Sequence, residues 1–145
     1  MAHIIFFEKP GCINNTKQKT WLEVASHTVE AHSILEHPWK TEELRSFLPG
    51  DKPAKWFNRT APAIKNGKLD PDSFNESNAL AILIETPILI KRPLMQIDQI
   101  KLQGFDKEKI NLLIGLSAAP GEEEIVEKLN ADNLMVCPKI DNKCD

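Results

Sequence analysis

The sequence predicts a mixed α/β fold: a four-stranded sheet whose first half is a parallel βαβ unit and whose second half is a ββα unit, with a helical insertion between them. Three observations carry this. The apolar run Ile4-Ile5-Phe6-Phe7 stops at Pro10-Gly11 and leads into a polar-apolar run through Trp21, Leu22, Val24 and Ala25, as a buried strand followed by a helix does. The stretch from Thr28 to Ile34 alternates polar with small or apolar side chains and supplies a second strand, which a crossover helix makes parallel to the first. Downstream, Leu94-Met95-Gln96-Ile97 and Ile100-Lys101-Leu102-Gln103 flank Asp98-Gln99 as a hairpin, and Ile110, Leu112, Leu113, Ile114 and Leu116 mark a last core helix.

Taken in order, the first helix is expected over roughly Asn15 to Ser26, with Asn14, Asn15 or Thr16 as its cap. After Pro38-Trp39, Thr41-Glu42-Glu43 opens a short helix that turns Leu44, Phe47 and Leu48 inward before Pro49-Gly50 ends it. Pro53 to Pro62 reads as a helical turn that buries Trp56 and Phe57 and leaves Arg59 at its end. Asn75 caps a largely buried helix, Glu76 to Glu85, closed by Pro87. Pro93 would cost a ladder bond inside a central strand, so it belongs at a strand's first position or at a turn, where a cis bond is accessible. This element order is that of thioredoxin. The main unit is expected over 1–117 with its insertion over about 36–86, and 118–145 over a linker, a short acidic helix and a cysteine-containing tail.

Composition narrows the function. At 145 residues with 41% hydrophobic side chains the chain is one ordinary domain with a real core. A net charge of −3 and scattered lysines and arginines leave no footprint for nucleic acid. There is no signal-peptide pattern and no apolar run of membrane-spanning length, which points to a cytoplasmic protein with no membrane partner. Three cysteines, Cys12, Cys137 and Cys144, are too few for a disulfide scaffold, and the scattered histidines give no metal-ligand spacing, so no metal is expected.

Cys12 is where chemistry is expected. It follows a Pro-Gly turn at a helix N-terminus, where unpaired backbone N–H groups and the helix dipole favour thiolate over thiol. The structural alternative is a small buried hydrophobe. The third residue after Cys12 is Asn15, so there is no Cys-x-x-Cys motif, and redox chemistry would be monothiol or use a distant partner.

Three strings then coincide: Glu8-Lys9-Pro10-Gly11-Cys12, Trp56-Phe57-Asn58-Arg59, and Pro87-Ile88-Leu89-Ile90-Lys91-Arg92-Pro93-Leu94. Together they resemble the glutaredoxin-linked arsenate reductase (ArsC) family, which includes the Spx regulators, over about residues 3 to 116. The run from Phe7 to Gln18, with Trp39, is similar to the family's nitrogenase-associated branch. The resemblance implies a thioredoxin-like fold, a nucleophilic Cys12, Arg59 and Arg92 as oxyanion ligands, and Pro93 as a cis-proline facing the cysteine. Guanidinium groups would cancel the repulsion between a thiolate and an oxyanion while gripping its oxygens in bidentate geometry.

The chain also departs from that pattern. Arsenate reductases of the family follow the cysteine with Gly-Thr-Ser-Arg-Asn or close to it, whereas this chain has Ile13-Asn14-Asn15-Thr16-Lys17. The third family arginine falls near Leu102 to Phe105, where there is none, a loss of about 1.5–3 kcal/mol in binding a doubly charged oxyanion. These departures weigh against arsenate as substrate. The expectation is a monothiol oxidoreductase in which Cys12 attacks, Arg59, Arg92, Asn14 and Asn15 hold an oxyanion or glutathione, and Pro93 aligns the substrate. Glutathione as co-substrate, glutaredoxin, or Cys137 or Cys144 from the tail would resolve the intermediate, with no bound cofactor. The alternative is a binding module without turnover that docks on nitrogenase components or another protein.

Overall fold

The computed structural model describes residues 2–131. Its strands are β1 (His3–Glu8), β2 (Thr28–Ser33), β3 (Leu94–Ile97) and β4 (Ile100–Gln103). Its helices are α1 (Ile13–Val24), α2 (Thr41–Phe47), the single turn α3 (Pro62–Lys65), α4 (Glu76–Glu85), α5 (Lys107–Ile114) and α6 (Glu123–Ala131). Short 3-10 turns at Pro53–Trp56, Pro71–Ser73 and Pro87–Leu89 link the insertion. The sheet order is β2-β1-β3-β4, with β1 parallel to β2 and antiparallel to β3, and β3 antiparallel to β4. The expected mixed four-stranded sheet is therefore present.

Strand alternation divides the apolar residues between two faces. Ile4, Phe6, Met95, Ile97 and Leu102 pack with Trp21 and Leu22 from α1, Phe105 from the turn before α5, and Ile110 from α5. Phe7 and Leu94 face the other way, into a second core built from the insertion, with Leu44, Phe47, Trp56, Phe57, Leu83 and Ile90. Arg45 ties that insertion together. Its guanidinium donates to the carbonyls of Leu48 (2.7 Å) and Gly50 (2.8 Å), pairs with Glu76 at 3.1 Å and lies 4.8 Å from the Trp56 ring.

Several boundaries differ from the sequence expectation, each for a local reason. α1 begins at Ile13, two residues early, because Cys12 takes the N-cap position with extended backbone (φ −72°, ψ 122°) and makes no side-chain cap bond. Asn14 and Asn15 are thus helical residues with buried side chains, not caps. α1 ends at Val24, before Ser26 enters the left-handed region at φ +72°. Lys40, not Thr41, occupies the N-cap of α2. On α5 only Ile110 is buried: Leu112 is 87% exposed and Leu113 40%, because Ile110 and Ile114 share the covered face and Leu112 falls half a turn away. Asn75 and Asp106 do cap their helices, accepting from the N–H groups of Asn78 (2.8 Å) and Lys109 (3.2 Å).

α6 lies against α1. The Ala119 N–H donates to Val24 O at 2.8 Å, at the C-terminal end of α1. Val126 then packs beside the core with Leu129, and shares a cleft with Trp21 and with Lys107 and Glu108 from the first turn of α5.

Candidate functional site

Register places the site. Phe7 of β1 pairs with Leu94 of β3, and Leu94 pairs with Gln103 of β4. Three connections therefore emerge at one end of the sheet: the Glu8-to-Cys12 loop, the Arg92-Pro93 approach to β3, and the Gln103-Gly104 turn. The Arg92–Pro93 peptide is cis, Pro93 is buried, and its carbonyl accepts from the Gly104 N–H at 2.8 Å.

Cys12 is a free, buried thiol, 3% exposed, and belongs to neither apolar cluster. Gly11 precedes it at φ +85°, a conformation that suits glycine and lets the loop turn sharply into α1. The Cys12 N–H donates to Lys9 O at 3.1 Å, and Cys12 O accepts from both the N–H and the hydroxyl of Thr16 at 3.0 Å. Instead of apolar side chains, the first turns of α1 bury Asn14, Asn15 and Gln18. Asn15 Oδ1 accepts from the Lys9 N–H at 3.1 Å, and its Nδ2 donates to Gln18 Oε1 at 2.9 Å. Asn15 thus anchors the cysteine loop. The one carboxylate of the loop, Glu8, is paired with Lys19 at 2.7 and 3.0 Å.

The two arginine strings meet across an antiparallel bridge. Phe57 pairs with Ile90, the Asn58 N–H donates to Leu89 O at 2.7 Å, and the Lys91 N–H donates to Trp56 O at 2.9 Å. Each arginine lies two residues beyond its bridge partner, and because the segments are antiparallel the two leave at opposite ends. Arg92 is half-buried beside Pro93, whereas Arg59 is exposed and donates to Ala54 O at 3.3 Å. The arms are therefore joined, and the Arg59 guanidinium is held at the Ala54 carbonyl. Cys137 and Cys144 lie outside the described residues. Among the described residues, no cluster of three or more His, Cys, Asp or Glu side chains could hold a metal ion.

Residues 12–113 of the chain match the ArsC family. The chain belongs to that family. A 15.7 kDa uncharacterized protein in the draG 3′ region of Rhodospirillum rubrum is 49% identical over 126 residues, covering 86% of this chain and 87% of that protein. The global transcriptional regulator Spx of Streptococcus agalactiae is 25% identical over 114 residues, covering 77% and 82%. An ArsC family related protein from Bacteroides fragilis superposes with a TM-score of 0.67 at 28% identity, covering 77% of this chain and 98% of that one. ArsC family membership supports a thiol-based, oxidoreductase-like function. No helix among the described residues is long and apolar enough to cross a membrane.

The sequence reading did not single out the Glu8–Lys19 pair, Gln18 or Gln103. For the first there was a signal: a lone acid closing an apolar strand needs a partner once the strand is buried.

Proposed function

We propose that this ArsC-family protein is a monothiol oxidoreductase that works with glutathione in the cytoplasm. The observation that carries the reading is the placement of Cys12, at the N-cap of α1, at the same end of the sheet as the cis Arg92–Pro93 bond. In this scheme the Cys12 thiolate attacks the glutathione sulfur of a glutathionylated substrate, and the substrate leaves as its thiolate. A second glutathione thiolate then attacks the glutathione sulfur held on Cys12, which frees Cys12 and releases glutathione disulfide. Arg92 and Arg59 hold the carboxylates of glutathione or, in an alternative use of the same site, an oxyanion; Asn14 adds an amide. Pro93 aligns the extended substrate.

Glutaredoxin or a tail cysteine would serve as an alternative resolving thiol. A link to nitrogenase components rests on the resemblance of the Phe7-to-Gln18 run, and the draG-region relative is in keeping with it.

The test is alkylation of Cys12 in a variant with Cys137→Ser and Cys144→Ser, with and without glutathione disulfide or arsenate, and with Cys12→Ser as the blank. Modification that either ligand slows supports the reading, and the protecting ligand names the substrate class. The second reading, a binding or regulatory module, is favoured by the 3% exposure of Cys12 and by the likeness to Spx. It prevails if the folded protein resists alkylation and no ligand changes the rate.

A further inference from the structure

We infer that Gln103 is the positioning residue that sets the spacing of the two arginine-bearing arms, an inference that rests on the oxidoreductase reading of the same site. Gln103 is the last residue of β4. Alternation along that strand sends Leu102 into the α1–α5 core and Gln103 to the opposite face, the one covered by the insertion. There its single amide nitrogen donates to Trp56 O and to Lys91 O, each at 3.0 Å. Trp56 is three residues before Arg59, and Lys91 immediately precedes Arg92.

The bond pattern explains why one side chain has this leverage. The isolated Phe57–Ile90 bridge and its two flanking backbone bonds run between the arms, and that bridge is not a strand of the main sheet. Gln103 crosses from the sheet to both arms at once, and Trp56 O accepts from Lys91 N–H and from Gln103 together. The amide keeps this orientation although its own Oε1 is buried and accepts no hydrogen bond among the described residues. The flipped orientation would set that oxygen against two carbonyl oxygens, so the two donated bonds decide the geometry. The neighbouring Gly104 N–H holds Pro93 O at 2.8 Å, so residues 103 and 104 together fix the segment from Lys91 to Pro93 against β4.

The experiment uses the full chain with Cys137→Ser and Cys144→Ser, and compares it with the same protein carrying Gln103→Met, which keeps side-chain length and removes both donors. Two quantities are read: amide hydrogen exchange at Lys91 and Asn58, with Phe6 and Met95 as sheet references, and the concentration of arsenate or glutathione disulfide that halves Cys12 alkylation. The inference expects at least tenfold faster exchange at Lys91, unchanged exchange at Phe6 and Met95, a ligand-free alkylation rate within twofold, and a tenfold or greater rise in the protecting concentration. Unchanged exchange at Lys91 overturns it, as does a parallel rise throughout the sheet, which would make Gln103 a general stabiliser. Faster exchange with an unaltered protecting concentration also overturns it. If the parent protein shows no ligand protection, the oxidoreductase reading falls, and exchange at Lys91 alone still decides whether Gln103 holds the arms.

Discussion

Asn15 Oδ1 accepts the backbone N–H of Lys9 at 3.1 Å, so a side chain in the first turn of α1 closes the loop on whose far side Cys12 sits. Asn15 is 1% exposed and its other amide atom is bonded to Gln18, so the loop is fixed by a buried polar pair rather than by packing. Asn15→Ala leaves the Lys9 N–H and Gln18 Oε1 without these partners. Urea unfolding should show a loss of about 1–3 kcal/mol, and ligand-free alkylation of Cys12 should accelerate as the loop loosens. An unaltered alkylation rate would mean that the backbone bond from Cys12 to Lys9 O holds the loop by itself.

The Glu8–Lys19 pair ties the end of β1 to the middle of α1. The Glu8 side chain is 11% exposed and that of Lys19 is 23%, which places the pair between surface and core. Lys19→Met should destabilise the protein by about 1–2 kcal/mol because it strands a mostly buried carboxylate. Adding Glu8→Gln should recover part of that loss, and a double-mutant cycle by urea unfolding measures the coupling.

His27 is 7% exposed and joins three segments. Its Nδ1 accepts from the Ala2 N–H at 2.9 Å, which assigns the proton to Nε2, 2.8 Å from Gly115 O. His27→Ala should cost about 1–3 kcal/mol in thermal or urea unfolding, since both backbone groups lose a buried partner. A long-range NMR correlation reporting a proton on Nδ1 would refute the assignment.

On the exposed face of β2, Glu30 lies 2.6 Å from His32 and 3.5 Å from His3. The hydrogen bond from His32 is the main reason its carboxyl is held below the usual range; desolvation opposes it, and the charges of His32 and then His3, with a hydrogen bond from His3, add to the lowering. A folded-state value below the unfolded one contributes stability above the unfolded carboxylate range, and loses it as pH falls through the folded value. His32→Ala should raise the midpoint of Glu30 in a carboxyl-detected NMR titration, and His3→Ala should raise it less.

Much of the fold could be read from residue type because the determining signals were local. The run Ile4 to Phe7 with Pro10-Gly11 behind it, the caps Asn75 and Asp106, and Pro93 ahead of Leu94 each act within a few residues of themselves. Errors arose where a local signal competed with tertiary contacts. Three consecutive capping-type residues, Asn14, Asn15 and Thr16, pointed to a cap after Cys12, yet both asparagines are buried, and Asn15 turns inward to partners at Lys9 and Gln18. Leu112 and Leu113 promised a broad apolar face on α5, but the sheet covers only the face that carries Ile110 and Ile114.

By itself, then, the sequence determined the element order, the split into βαβ, insertion and ββα, and the position of Cys12 beside a helix start, because strand period, turn residues and helix caps are written in neighbouring residues. Only the tertiary structure decided that Gln103 joins Cys12 and Pro93 at one end of the sheet, and that the Arg59 and Arg92 arms are bridged yet leave in opposite directions. Those facts follow from strand register and from hydrogen bonds between residues as far apart as Trp56 and Gln103, and no local pattern in the chain encodes such partners.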